Sequence, residues 1–359
     1  MGNRVCVTGE AQTSNLVDIL APRPGSTVLI CDVHASESGA LSILTDLYRQ
    51  LRAYEDKTVT WVMVVSTPQF QSTDNIKVER YPWVKNSWGH RSFFDHVTIR
   101  SILKRHRPEQ VLSLQNGAIP FDGGKQTVYL HQALYVTDYP FSILEDGARL
   151  WFYKNVMSRL ALRSLGKADH IIVQTRWMKE RLLAKTGVEP KRIQILPPDI
   201  TCNSIGRYRD TTEHRRRLFY PAIGVSYKNH ETLLKALKLA QDSGLGDYEL
   251  ILTIRPDENP YTRKLADFAR QNGLSVIFGG QIPREQVFEL YAKSILVFPS
   301  CIESFGLPLL EARMTGSPVI AADFSFSREI LSGYEKAVFF REKDAETLCS
   351  LLLREMTSL

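Results

Sequence analysis

No apolar run in this 359-residue chain approaches the ~20 residues that span a bilayer, so no transmembrane helix is expected. Cysteine is scarce: Cys6, Cys31, Cys202, Cys301 and Cys349 are odd in number, scattered and without a close pair. That excludes a disulfide framework and a zinc-ligand spacing, and it fits a reducing compartment with each thiol acting as a small buried hydrophobe. The opening residues, Met1-Gly-Asn-Arg-Val-Cys6, lack the apolar stretch of a secretion signal, so a cytoplasmic location is expected. Gly-x-Gly-x-x-Gly is missing, which removes the dinucleotide fingerprint. Asp-x-Asp is missing too, and with it the usual pair that bridges a metal to a diphosphate. Neither cofactor nor metal is expected.

What is present is an ordinary globular composition, 43% hydrophobic and 23% charged, long enough for two domains. The formal charge is +6, and it is uneven. Between Ile76 and Gln110, eight Lys and Arg (among them Arg91, Arg100, Lys104 and Arg107) meet three acids, Glu79, Asp95 and Glu109, a net +5. The remainder is near neutral, so nucleic-acid binding is not expected. The basic segment carries Trp83, Trp88, Phe93 and Phe94, and residues 96–107 have a helical pattern with Val97, Ile102 and Leu103 apolar. Two readings stand: a helix lying on an anionic membrane surface, or a sheet-packed helix with a solvated basic face.

The hydrophobic rhythm alternates strand and helix along most of the chain. Residues 1–25 read as a lead-in with one short strand. Thr27–Asp32 reads as a buried strand, residues 33–40 as a small-residue loop and residues 41–53 as an amphipathic helix. Gly39 in that loop would let a ligand approach the backbone. Further strands are expected near 61–66, 111–115, 126–131, 168–175 and 192–196, with His131 at the carboxyl end of one and His34 just past another. Ligands in parallel sheets bind beyond the carboxyl ends of strands. After a polar, arginine-rich stretch at 203–217 the rhythm resumes with six strands and five helices, from residue 217 to 356. The reading is two doubly wound α/β domains, 1–200 and 201–340, facing a cleft, with 341–359 as a C-terminal helix folding back toward the first domain.

Phe298 to Pro318, FPSCIESFGLPLLEARMTGSP, concentrates the chemistry. Glu303 and Glu311 have seven residues between them. The strand ending at Phe298 leads through a loop to a helix begun by Leu307-Pro308, where proline suits the first turn. Glu303 falls on the loop and Glu311 one turn into the helix. The amides of Ser304, Phe305, Gly306 and Leu307 would form an anion site at the helix start. Two carboxylates beside an anion hole suit a ligand carrying phosphate and hydroxyls, as a nucleotide-sugar does.

This Glu-x7-Glu segment resembles the signature of family 4 retaining glycosyltransferases, which have the GT-B fold of two Rossmann-like domains. Other segments match in order: Tyr220 to His230 with Lys228, Phe278-Gly-Gly-Gln-Ile282, Val128-Tyr-Leu-His-Gln132 and Ser38-Gly39. The resemblance implies a retaining transfer of a sugar from a UDP- or GDP-sugar donor. The acceptor would be a glycan or polyprenyl-diphosphate-linked glycan in bacterial surface polysaccharide synthesis. By the same resemblance Glu311 would hold the ribose. Glu303 and the Phe305–Leu307 amides would hold the sugar and diphosphate, Lys228 would neutralise the diphosphate, and His131 would meet the donor sugar. Ile282 would lie against the base. The family places an arginine where this chain has Ile223, and Arg255 is the candidate replacement. The alternatives are a weakly active GT-B partner subunit and another GT-B enzyme such as a nucleotide-sugar epimerase.

Overall fold

The structure, a computed structural model, describes residues 15–35, 38–198 and 206–357. They form two compact units, one of residues 15–137 and 152–198, the other of 138–151 and 206–357.

The first unit is built on seven parallel strands: β1 Thr27–Asp32, β2 Thr60–Val65, β3 Ile76–Arg80, β4 Gln110–Ser113, β5 Lys125–Leu130, β6 His170–Val173 and β7 Ile193–Ile195. Their order in the sheet is β3-β2-β1-β4-β5-β6-β7. In β1, Leu29 lies between Val62 and Val111. The period of two sends Val28 and Ile30 to one face and Leu29 and Cys31 to the other. The first face is covered by the helix Ser38–Ala53 through Leu44, Leu47 and Leu51; the second by Phe94, Ile99 and Ile102. Winding reverses between β1 and β4, which opens a crevice beyond their carboxyl ends.

Several local expectations change here. Residues 16–20 are helical, not a strand, because Asn15 and Asp18 close a capping box around the first turn. Residues 1–14 lie outside the described part. Gly39 sits in the first turn of the helix Ser38–Ala53, not in a loop; residues 36–37 are outside the description. The basic segment holds an edge strand, β3, whose charged alternation, Ile-Lys-Val-Glu-Arg, hides it from a search for apolar runs. The basic helix starts earlier than expected, at a Ser87 cap, and runs as Trp88–Phe93, a π turn Phe94–Thr98 and Ile99–His106. Val97, expected on the apolar face, points outward.

The second unit has six parallel strands: β8 Arg217–Tyr220, β9 Glu249–Leu252, β10 Val276–Phe278, β11 Ile295–Phe298, β12 Val319–Ala322 and β13 Ala337–Phe340. Their order is β10-β9-β8-β11-β12-β13, so the winding reverses between β8 and β11. Two short helices, Thr212–Arg215 and Ser325–Ile330, were not expected. The C-terminal helix Ala345–Thr357 packs on the helix His230–Asp242 and on β13 of this same unit, with Leu348 and Leu352 fully buried. Residues 138–151, placed in the first domain by the sequence boundary, group with the second unit. The Phe141 ring meets Tyr227, Ser226 donates to the Asp146 carboxylate at 2.5 Å, and Lys343 lies over the Tyr139 ring. Among the described cysteines, Cys31, Cys301 and Cys349 are free and buried. No helix of the described residues is long and apolar enough to cross a membrane.

Candidate active site

The strongest constellation of the second unit grows from the β8/β11 switch point. Beyond β8 the chain forms a short 3-10 turn, Ser226–Lys228, ending at Asn229 in the left-handed region (φ 57°). Three hydrogen bonds hold that turn. Tyr220 Oη donates to the Lys228 carbonyl at 2.8 Å, the Cys301 amide to the Tyr227 carbonyl at 2.9 Å, and Asn229 Nδ2 to the Pro299 carbonyl at 3.2 Å. Two of these donors or acceptors lie on the loop after β11, so the two loops are tied together. The result is an ion pair between Lys228 Nζ and Glu303 Oε1 at 2.5 Å, with side chains only 12% and 15% exposed.

Glu303 precedes a forced glycine. Gly306 has φ 89°, and a Cβ there would stand 3.2 Å from Leu309 Cδ1 and 3.9 Å from Glu303 Cγ. A side chain would be strained twice, by backbone and by contact. Phe305 is buried, and Leu307 opens the helix Leu307–Thr315 with Pro308 in its first turn. Glu311 lies on this helix and is 7% exposed. Its Oε1 meets Arg284 Nη2 at 3.0 Å, and its Oε2 accepts from Tyr291 Oη at 3.1 Å. Burial raises its pKa, which Arg284 and the tyrosine only partly offset. Arg284 and Tyr291 are residues the sequence reading missed. They sit seven apart on the helix Arg284–Tyr291, two turns on one face, and that spacing opposite a buried acid was the available signal.

The glycine segment after β10 is pinned by the Gly279 amide donating to the Leu252 carbonyl at 2.9 Å and the Gly280 amide to the Ile254 carbonyl at 3.2 Å. Ile282 lines a cavity of about 220 Å³ together with Gly279, Gly280, Ile251 and Leu290. Arg255 runs over Gly280, where an added Cβ would come within 2.8 Å of its Nε. The structure therefore puts Arg255 beside the glycine segment. Ile223, 56% exposed, stands in the loop ahead of Lys228.

In the first unit His131 lies one residue past β5, as the strand reading required. Asn116, after β4, accepts from the backbone amides of His131 and Gln132 at 2.8 Å each. Burial depresses the His131 pKa to about 4, so its imidazole is neutral at physiological pH. His34 contributes its carbonyl, which accepts from Lys85 Nζ at 2.5 Å. Beside it is Asp32, absent from the sequence candidates. Its Oδ1 accepts from the His34 and Ala35 amides, and burial raises its pKa to about 7.

Known proteins agree with this architecture. Its fold is similar to that of WaaG, a glycosyltransferase involved in lipopolysaccharide biosynthesis (17% identity, 92% of this chain and 90% of that one, TM-score 0.67). It is also similar to HepE of Anabaena in complex with UDP and glucose (15% identity, 93% and 90%, TM-score 0.63). The two parallel-sheet units are thus those of the GT-B fold. Residues 38–202 match the model described as Glycosyltransferase Family 4, and residues 210–356 match Glycosyl transferases group 1. The chain belongs to the family 4 glycosyltransferases. Curated relatives include the D-inositol 3-phosphate glycosyltransferase of Acidothermus cellulolyticus, 30% identical over 183 residues (45% of this chain, 41% of the relative). The O-antigen chain mannosyltransferase RfbU of Salmonella typhimurium is 25% identical over 187 residues, half of each chain. The matches span half or less of these relatives.

Proposed function

We propose that this protein is a retaining glycosyltransferase that moves a sugar from a UDP- or GDP-sugar to a hydroxyl of a glycan or polyprenyl-diphosphate-linked glycan. The observation that carries the reading is the Lys228–Glu303 pair at the β8/β11 switch point, beside the start of the helix that bears buried Glu311. Switch points are where parallel sheets bind nucleotides, and a helix start favours phosphate. Glu311 is assigned the ribose hydroxyls, since each of its oxygens keeps a lone pair beyond the bonds to Arg284 and Tyr291. Ile282 and the glycine segment are assigned the base.

In the proposed step the bond from the anomeric carbon to the diphosphate oxygen breaks. A bond from that carbon to the acceptor oxygen forms on the same face, and the acceptor proton passes to the leaving phosphate oxygen. Lys228 neutralises the charge that grows on the leaving group, commonly the largest catalytic effect. Glu303 and the Phe305–Leu307 amides hold the sugar and diphosphate. Gly39 is assigned close approach of the donor to the backbone, and Ser304 a further polar contact. Arg255 is the proposed second cation in place of the arginine that Ile223 replaces. The step as written calls for no metal or cofactor. His131 is assigned the donor sugar near the reacting carbon. His131→Ala should therefore lower turnover roughly 10- to 100-fold with nucleotide affinity nearly intact; wild-type turnover would remove it from the site. Retention itself is read from the anomeric configuration of the product by proton NMR, and an inverted product would overturn it.

Surface polysaccharide synthesis at the inner face of the cytoplasmic membrane is the proposed setting, in keeping with the names of WaaG and RfbU. The basic helix supports a membrane contact. Trp88 and Phe93 are 54% and 55% exposed, and the Trp88 ring meets Phe152 edge-on. Glu79 already pairs with Arg105 and His106, and Asp95 with Arg91. Arg100, Lys104 and Arg107 are exposed and make no ion pair among the described residues. Exposed aromatics with unpaired cations suit an anionic lipid surface. Co-sedimentation with anionic liposomes is expected at low salt and should fade at high salt. Protein that stays in the supernatant at low salt would reduce this face to a solvated one.

A further inference from the structure

Arg284 stands where a cation is out of place. It is the first residue of the helix Arg284–Tyr291, directly after Pro283. The start of a helix carries the positive end of its dipole, which favours acids there and disfavours arginine. Two contacts offset this. The guanidinium lies 5.6 Å from the centre of the buried Phe288 ring, one turn on, and Nη2 meets Glu311 Oε1 at 3.0 Å. The pair is lopsided: Arg284 has 46% of its side chain exposed, Glu311 only 9%. The carboxylate has given up most of its water and the arginine has not, so Glu311 is the partner that depends on the contact.

Few other charges act on Glu311. Its helix packs on Arg284–Tyr291, on Ser325–Ile330 and on β11 and β12. The two strands, Ile-Leu-Val-Phe and Val-Ile-Ala-Ala, carry no ionisable side chain. On Ser325–Ile330 the charged residues are Arg328, paired with Asp323 at 2.7 Å, and Glu329. On its own helix Arg313 donates to the Ile330 carbonyl, and in the loop ahead Glu303 is paired with Lys228. On Arg284–Tyr291, Glu285 and Glu289 are exposed, while Tyr291 Oη donates to Glu311 Oε2 at 3.1 Å. Burial and the Glu311 charge push that phenol's pKa up, so it stays protonated and remains a donor. Burial raises the Glu311 pKa as well, and Arg284 is the largest influence against it, ahead of Tyr291.

We propose that Arg284 is a positioning residue that holds the Glu311 carboxylate in place and charged, so that the ribose meets two acceptor oxygens at neutral pH. The proposal rests on the assignment of Glu311 to the ribose and names what lets a buried acid do that work. A protonated carboxyl presents a donor in place of one acceptor; an ionised one accepts from both hydroxyls. Ribose recognition is thereby divided between an acid that touches the sugar and a cation that does not.

The test titrates the Glu311 carboxyl of the full chain by carbon NMR, its resonance identified by its absence from Glu311→Gln. UDP and GDP affinities are measured by calorimetry over the same pH range. Arg284→Gln should titrate at higher pH than wild type. Its nucleotide affinity should be roughly tenfold weaker at neutral pH and should approach that of wild type as pH rises. Arg284→Lys restores the charge and should move both readouts back toward wild type. A Glu311 that titrates at the same pH in Arg284→Gln as in wild type would overturn the inference, whether or not the variant binds nucleotide. So would an affinity loss equal at every pH, the mark of an arginine that touches the nucleotide itself or only supports the fold. The ribose assignment fails separately: Glu311→Gln would then bind UDP and GDP as wild type does, whatever Arg284 does to the titration.

Discussion

Lys228→Ala is expected to cut turnover by about 10²–10³ while the chain still folds and still binds nucleoside. That is the usual cost of removing one preorganised group that stabilises charge developing in a transition state. The lysine is firmly placed. Its turn is anchored by Tyr220, Cys301 and Asn229, and its ammonium is paired with Glu303 in a nearly closed site. The variant leaves Glu303 without its cation; with the diphosphate bound where it is proposed to be, donor affinity should fall as well. Lys228→Arg should recover part of both losses, because the charge returns although the point geometry does not. Steady-state kinetics with the preferred donor checks this; turnover within twofold of wild type in Lys228→Ala would take the lysine out of the chemistry.

Glu311→Gln is expected to weaken nucleotide binding by ~1–3 kcal/mol, the scale of lost hydrogen bonds to a charged acceptor. It should do so without loss of folding stability. Burial raises the Glu311 pKa in the folded chain above its unfolded value. Such a group adds stability while protonated, and that contribution is lost as pH rises through the folded pKa. The cost of burying the ionised carboxylate is one that a neutral isostere does not carry. The freed Arg284 remains partly in water, with 46% of its side chain exposed. The pH dependence of binding has the opposite sign. Ribose needs the ionised acceptor, so affinity should drop as pH falls, beginning above the ordinary carboxylate range. Calorimetry across pH for both proteins reads this directly. Equal affinity of wild type and variant at neutral pH would end the ribose assignment.

Much of the frame was legible in the residues. All six strands of the second unit fall where apolar runs predicted, most plainly β11 and β12, which are buried throughout, because parallel strands covered on both faces leave continuous Val, Ile and Leu signatures. The Glu303–Glu311 spacing survives as local geometry, since strand, loop and helix are contiguous in sequence. What escaped was non-local or masked by charge. Arg284 and Tyr291 matter only because their helix packs against the one bearing Glu311. Asn116 is a loop residue whose role depends on β4 and β5 being neighbours. Residues 138–151 belong with the second unit through the Asp146–Ser226 bond and the Phe141–Tyr227 contact, which no periodicity encodes. β3 is an edge strand, and edge strands carry charge that disguises them.

The central claim is that the second unit binds a nucleotide-sugar and that Lys228 helps break its sugar–phosphate bond. The most direct measurement is release of nucleoside diphosphate from UDP- and GDP-sugars by wild type and Lys228→Ala side by side, with a polyprenyl-diphosphate-linked glycan as acceptor. The account predicts release from one donor class by the wild type and a loss of about 10²–10³ in the variant. Release at equal rates by both proteins, or by neither from any sugar nucleotide, would contradict it.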